Sequence, residues 1–150
     1  MVSERKYKVL FLCTGNSCRS QMAEAWSREI IGHQFEVFSA GIEPAGLDPM
    51  AVKAMAEVGL DISNQKPKST DSLGSAEFDF VITLCRNAAE TCPYFPARTR
   101  VMHEAFDDPP KLAERAESEE EAMEHYRRVR DEIRTFVEKL PEMLLEGEDK

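Results

Sequence analysis

The chain alternates short apolar runs with longer segments in which apolar residues recur every three or four positions. A short apolar run is typical of a buried β-strand, whereas the longer spacing is typical of an amphipathic helix. The predicted strands are 8–12, 35–39, 78–84 and, with a weaker pattern, 100–106. The predicted helices are 20–31, 48–58 and 119–145. Pro141 is expected to kink the last helix or to split off its final turn.

Strands that alternate with helices predict an α/β fold. We expect three layers, in which a four-stranded parallel sheet carries helices on both faces. The length of 150 residues suits one domain that spans residues 1–150. Ligands bind beyond the carboxyl ends of the strands in such folds, so the search for chemistry begins at Cys13, where the first strand ends.

Composition and charge narrow the classes of function. The formal net charge of −9 argues against sequence-independent nucleic-acid binding, although one pocket can still be positive. The apolar run 9–12 is too short for a signal sequence or a membrane span, so we expect a cytoplasmic protein without membrane contact. We also expect a monomer. In a reducing cytosol, cysteines indicate catalysis, redox chemistry or metal binding rather than structural disulfides. The cysteines are Cys13, Cys18, Cys85 and Cys92.

The segment from Cys13 to Ser20 has the composition of an anion-binding loop. Between Cys13 and Arg19 lie Thr14, Gly15, Asn16, Ser17 and Cys18. A short loop before a helix can turn its backbone N–H groups inward, and Gly15 and Asn16 tolerate the left-handed backbone that this requires. Arg19 can then bind two oxygens of a tetrahedral anion, while the amides and the Ser20 hydroxyl stabilise a Cys13 thiolate. The alternative is an ordinary β–α turn after a buried cysteine.

A second pair of cysteines, Cys85 and Cys92, lies seven positions apart. An intact helix between them would separate the two residues by about 10.5 Å along its axis. A disulfide tolerates Cα atoms at most about 7 Å apart, so a bond between them would require such a helix to unwind. Pro93 would in any case end the helix. Two alternatives stay open: both cysteines can be small buried residues, or zinc ligands at an unusual spacing.

The loop also carries a family resemblance. The run Cys-Thr-Gly-Asn-Ser-Cys-Arg-Ser-Gln-Met-Ala-Glu-Ala at 13–25 resembles the low-molecular-weight tyrosine phosphatase superfamily, above all its thioredoxin-coupled arsenate reductases. Ser39, Ala40 and Gly41 fit the same pattern, and the resemblance extends from residue 8 to about residue 137. It implies a low-molecular-weight tyrosine phosphatase-like fold and an oxidoreductase that converts arsenate to arsenite in arsenical resistance.

The resemblance implies a redox role for three of the cysteines. Cys13 attacks arsenate, and Cys85 then forms a Cys13–Cys85 disulfide as arsenite leaves. Cys92 converts it into a Cys85–Cys92 disulfide, which thioredoxin reduces. Phosphate and sulfate are expected to mimic arsenate, and no redox cofactor is required.

The resemblance also assigns a general acid. Asp108, directly before a proline, corresponds to the aspartate that protonates the leaving oxygen, and Asp107 is the fallback. The phosphatases tend to follow this proline with aromatic residues, whereas the chain has Pro110 and Lys111, which favours a small inorganic substrate. Cys18 corresponds to no step of the relay, and we expect it to be structural or protective.

Some relatives bind potassium beside the loop, through groups that correspond to Asn16, Glu24, Ser39 and an acidic residue near position 68. Lys68 stands there in this chain, so a lysine can supply the cation and a potassium site is not expected. No other metal site is predicted. Two other functions remain as alternatives: a phosphatase for tyrosine or small phosphomonoesters, and a redox-sensing or arsenic-binding module without catalysis.

Overall fold

The structure is a computed structural model that describes residues 6–41, 46–74, 76–84, 97–98 and 100–145. Its strands are β1 (Tyr7–Cys13), β2 (Phe35–Gly41), β3 (Phe80–Thr83) and β4 (Arg100–His103). Its helices are α1 (Arg19–Ile31), α2 (Pro49–Ala56), α3 (Pro109–Ala113) and α4 (Glu119–Leu145), with a short 3-10 helix at Thr70–Leu73. Within this part of the chain, no helix has the length and apolar character to cross a membrane.

The strands form a single parallel sheet in the order β2-β1-β3-β4. Val9 of β1 lies between Val37 of β2 and Phe80 of β3. This arrangement confirms the predicted α/β fold. Because all strands run in the same direction, Cys13 and Gly41 meet at one edge of the sheet. The site should therefore form at this edge.

The two faces of the sheet pack against different elements. Val9 and Phe11 share one core with buried side chains of α1, α2 and α4. Leu10 and Leu12 point to the opposite face, where they pack with a second cluster that includes Leu73 of the 3-10 helix. Ala113 of α3 also packs against this first core. The α-helices thus pack on the first face, and the 3-10 helix is the described helical element on the second.

The largest departures from the predicted elements involve proline. Helix α4 continues through Pro141 to Leu145, so its last turn is not split off. Pro141 removes one hydrogen bond near the end of the helix, and burial of Leu140 and Leu144 holds that turn against the core. Helix α3 was not predicted at all. Its sequence reads as a turn, but Pro109 occupies the first helical position, where proline is well tolerated.

Candidate active site

The loop between β1 and α1 forms one wall of a cleft of about 290 Å³ at the carboxyl edge of the sheet. Asn16 has a positive φ of 49°, as the predicted curl requires. The opposite wall comes from α3 and the residue before it. The cleft is lined by Cys13, Thr14, Gly15, Ser17, Cys18, Arg19, Asp108, Pro110 and Lys111. The structure therefore brings the predicted loop, arginine and general acid together.

A directed chain of hydrogen bonds ends on the sulfur of Cys13. Cys13 is 3% exposed, and its Sγ lies 2.9 Å from Ser20 Oγ. Ser20 Oγ accepts from Asn16 Nδ2 at 2.7 Å, and Asn16 Oδ1 accepts from the backbone N–H of Lys68 at 2.7 Å. A backbone N–H can only donate, so it fixes which end of the Asn16 amide faces Ser20. The Ser20 hydroxyl proton is then available to the sulfur, where it favours the thiolate.

Two glutamines that the sequence reasoning missed support this chain. Gln21 Nε2 donates to the carbonyl oxygen of Asn16 at 2.9 Å and to its Oδ1 at 3.1 Å. Gln65 Nε2 in turn donates to Gln21 Oε1 at 2.6 Å. Gln21 lies within the run 13–25 that carries the family resemblance but was given no role there, and only the fold brings position 65 to the loop.

Gly41 at the end of β2 allows the loop to approach the sheet closely. A Cβ atom at this position would lie 2.7 Å from the Thr14 carbonyl oxygen, 2.8 Å from the Cys13 carbonyl oxygen and 2.9 Å from the Asn16 nitrogen. These contacts are with backbone atoms, which cannot rotate away. A side chain here would therefore displace the anion loop.

Arg19 connects the anion loop to the residue that follows β3 and to the segment that precedes α3. Its buried guanidinium donates from Nη1 to the carbonyl oxygens of Phe106 at 3.0 Å and Leu84 at 3.3 Å. Its Nη2 lies 3.7 Å from Asp108 Oδ2. These contacts hold the guanidinium in the wall of the cleft, where it can bind an anion.

The structure separates the two candidate acids. Asp108 lines the cleft, caps the start of α3 and is 31% exposed. Asp107 instead pairs with Arg128 of α4, with 2.8 Å between Oδ2 and Nη2. The segment is thus tied to α4 through Asp107, and of the two carboxyl groups it is that of Asp108 whose residue lines the cleft.

Cys18 lines the same cleft, but its environment differs from that of Cys13. Burial raises the pKa of the Cys18 thiol, and the nearby Asp48 carboxylate raises it further. Asp48 accepts a hydrogen bond from Tyr126 at 2.5 Å, and its backbone N–H donates to the carbonyl of Ser17 at 3.1 Å. These contacts favour a neutral Cys18, in keeping with the expected structural role.

A family model supplies the decisive comparison. The low molecular weight phosphotyrosine protein phosphatase family matches residues 8–149. The chain belongs to this family. An arsenate reductase of Bacillus subtilis is 52% identical over 125 residues, which are 83% of this chain and 88% of that protein. An arsenate reductase of Halalkalibacterium halodurans is 49% identical over 137 residues, which are 89% of this chain and 96% of that protein.

Solved structures of the family agree with this result. An arsenate reductase in the phosphate binding state superposes with a TM-score of 0.75 at 29% identity and covers 92% of this chain and 98% of that chain. The resemblance to the arsenate reductases of the family is thus confirmed. A thioredoxin-dependent arsenate reductase of Corynebacterium glutamicum superposes with a TM-score of 0.61 at 30% identity, over 90% of this chain and 62% of that chain.

Glu24 and Ser39, two positions that correspond to potassium ligands in some relatives, contact each other and two side-chain cations. Ser39 Oγ donates to Glu24 Oε1, and Lys68 Nζ lies 3.7 Å from the same oxygen. Arg28 Nη1 pairs with Glu24 Oε2 at 2.5 Å. Two side-chain cations already neutralise this carboxylate. Elsewhere in the described ranges, no group of three or more His, Cys, Asp or Glu side chains could hold a metal.

Cys85 and Cys92 lie outside the described residues, so their predicted roles stay predictions. The chain is described up to Leu84, whose N–H donates to the Leu12 carbonyl at 2.9 Å. Leu84 is thus placed beside the end of β1, next to the loop.

Proposed function

We propose that this protein reduces arsenate to arsenite through Cys13, Cys85 and Cys92, with electrons from thioredoxin. Two arsenate reductases of about half identity favour this relay over a phosphatase. The cleft agrees with a small inorganic substrate, because Pro110 and Lys111 line it beside Asp108 and neither is aromatic.

In the first step, the Cys13 thiolate attacks arsenic and a bond forms between sulfur and arsenic. Asp108 gives its proton to a hydroxyl oxygen of arsenate as the arsenic–oxygen bond breaks, and that oxygen leaves as water. Arg19 and the loop amides hold the remaining oxygens as charge develops on them. The contact between Ser20 and Cys13 supports this step, since it favours a nucleophilic sulfur before the substrate arrives.

The second step is the reduction. The Cys85 thiolate attacks Cys13, the sulfur–arsenic bond breaks, and its electron pair stays on arsenic, which leaves as arsenite. Cys92 next attacks Cys85 and releases the Cys13 thiolate, which leaves a Cys85–Cys92 disulfide. Two electrons from a thioredoxin dithiol restore both thiols.

The similarity to arsenate reductases of about half identity supports this proposal, and so does a thioredoxin-dependent relative among the solved structures. The chemistry requires reduced thiols between turnovers. We therefore propose that the protein works in the cytoplasm, where thioredoxin keeps thiols reduced. We also propose that it acts as a monomer.

A coupled assay tests the proposal. The protein is mixed with arsenate, thioredoxin, thioredoxin reductase and NADPH, and both NADPH consumption and arsenite release are followed. We expect multiple turnovers for the wild type. Cys85→Ser should release no arsenite, and Cys92→Ser should release one equivalent and stop with a Cys13–Cys85 disulfide, which peptide mass spectrometry identifies.

Hydrolysis of para-nitrophenyl phosphate by the same variants is the matched control. It requires Cys13, Arg19 and Asp108 but neither of the other two thiols, so weak activity should survive in both variants. Multiple arsenate turnovers in either serine variant would refute the relay. Stoichiometric thiol loss without steady arsenite release by the wild type would instead indicate a redox-sensing or arsenic-binding module.

A further inference from the structure

The cleft must attract an anion to a protein of net charge −9. Its lining contains two cationic side chains, Arg19 and Lys111, and the carboxyl group of Asp108. The Cys13 thiolate adds another negative charge. When Asp108 is ionised, the two cations only balance the two anions, so the loss of either cation would leave a negative cleft.

The two cations differ in what else they contact. Arg19 is buried and donates to two backbone carbonyls, and it lies 3.7 Å from Asp108. Lys111 is exposed, and within the described ranges its ammonium group has neither a hydrogen-bond nor an ion-pair partner. Lys53 and Lys68, in contrast, pair with Glu119 and Glu24. Lys111 is therefore a cation at the cleft that none of the described residues neutralises.

The backbone holds Lys111 close to the general acid. Asp108 occupies the N-cap position of α3, Pro109 and Pro110 begin its first turn, and the Lys111 N–H donates to the Asp108 carbonyl at 3.1 Å. Two successive prolines restrict φ in this turn. Asp108 and Lys111 therefore line the same cleft from one stiff turn.

We propose that Lys111 is a substrate-binding residue that pairs with the outward-facing oxygens of a tetrahedral dianion, opposite the loop amides and Arg19. This inference rests on the proposed oxyanion chemistry and deepens it. Lys111 lies in the wall of the cleft formed by α3 rather than in the anion loop, so its charge is expected to act on capture of the anion. Its effect is electrostatic and must weaken as salt screens the charge.

Binding of inorganic phosphate tests this role without any arsenate chemistry. Phosphate protects Cys13 from alkylation by iodoacetamide, and mass spectrometry of the Cys13 peptide gives the dissociation constant. A single charge acting on a dianion at about 4–8 Å in water predicts a rise in the dissociation constant of about 5- to 30-fold for Lys111→Gln at low ionic strength. Lys111→Arg, which keeps the charge, should stay within about twofold of the wild type.

Lys8→Gln is the matched control. Lys8 is exposed at the opposite end of β1, five residues from Cys13, or about 16 Å along the strand. At this distance one charge changes the binding of a dianion by only about twofold in water even without screening, so phosphate binding to Lys8→Gln should change by no more than about twofold. At high salt, the dissociation constant of Lys111→Gln for phosphate should approach that of the wild type.

Two results would overturn the inference: phosphate binding to Lys111→Gln that matches the wild type at low salt, or a loss that salt does not reduce. The second result would mean that the substitution disturbs Asp108 through α3. If the coupled assay fails to detect arsenite while the Lys111 effect on phosphate persists, the arsenate proposal fails and the anion-binding role stands.

Discussion

The contact between Ser20 and Cys13 leads to a test within one helix. Ser20 Oγ lies 2.9 Å from the sulfur and accepts from Asn16, so its proton is directed to the thiolate. Ser20→Ala removes this donor. Ser27, seven positions later in α1, is also fully buried, but its hydroxyl has no hydrogen-bond partner among the described residues. Ser27→Ala is therefore a matched control.

The expected magnitude follows from the type of hydrogen bond. A bond to a charged group contributes about 1.5–3 kcal/mol, and about 1.4 kcal/mol corresponds to a tenfold change. Ser20→Ala should therefore slow alkylation of Cys13 about 10- to 100-fold at a pH where the thiolate is only partly formed. It also leaves the buried Asn16 amide without its acceptor, which should lower the free energy of unfolding by about 1–3 kcal/mol.

Ser27→Ala should leave the alkylation rate unchanged. It removes a buried hydroxyl without a partner and introduces a better helix former, so stability should rise by about 0.5–1 kcal/mol. Peptide-resolved alkylation with iodoacetamide and urea unfolding measure both quantities. Wild-type reactivity in Ser20→Ala would refute the reasoning. If Cys13 were alkylated equally slowly in both variants, the cause would be altered packing of helix α1 and not the lost hydrogen bond.

Three further predictions concern the surroundings of the site. Gly41→Ala should lower the free energy of unfolding by about 1–3 kcal/mol and weaken phosphate binding, because a Cβ would lie 2.7 Å from the Thr14 carbonyl. Thermal unfolding and phosphate titration measure the two effects, and wild-type values for both would contradict the prediction. The hydrogen bond from Arg127, aided by Arg130, lowers the pKa of Glu57 from 4.5 to about 2, but the side chain is one-third exposed, so Glu57→Gln should cost only about 1 kcal/mol at neutral pH. Because the pKa of Glu57 is lower in the folded state, the difference in free energy of unfolding between the wild type and Glu57→Gln should be complete above about pH 4.5 and vanish as the pH falls toward 2. Urea unfolding at several pH values measures this difference, and a value that does not change with pH would be evidence against the ion pair. Potassium and sodium at equal ionic strength should support the same turnover, because the Lys68 ammonium group lies 3.7 Å from Glu24; a several-fold activation by potassium would contradict this.

Local sequence was sufficient to predict the loop and the sheet. Cys13 ends a run of buried strand residues, and Arg19 begins a helix, so the anion loop is a continuous segment whose ends are set by periodicity. The carboxyl edge of a parallel sheet then gave the position of the site. Asp108 was assigned from its resemblance to the family's acid, and its place in the cleft depends on helix α3, which the sequence analysis did not predict.

Contacts made by backbone groups could not be predicted in this way. The Lys68 N–H orients Asn16, yet any residue except proline offers the same donor. Gln65 comes to the loop from a segment that has no helical or strand pattern. The Asp-Pro-Pro sequence before Lys111 suits a turn and a helix start equally well, so local composition could not distinguish them.

The same loop contains two sulfurs with opposite environments, and residues outside the loop create the difference. Cys13 faces a hydroxyl whose proton is directed toward it, and that direction originates at the Lys68 amide. Burial and the carboxylate of Asp48, which caps α2, raise the pKa of Cys18. A hydrogen-bond donor therefore faces the sulfur of Cys13, whereas burial and a carboxylate favour the neutral thiol of Cys18, although only four residues separate them. A loop of identical sequence, placed on a sheet without these neighbours, would present two thiols with no such distinction.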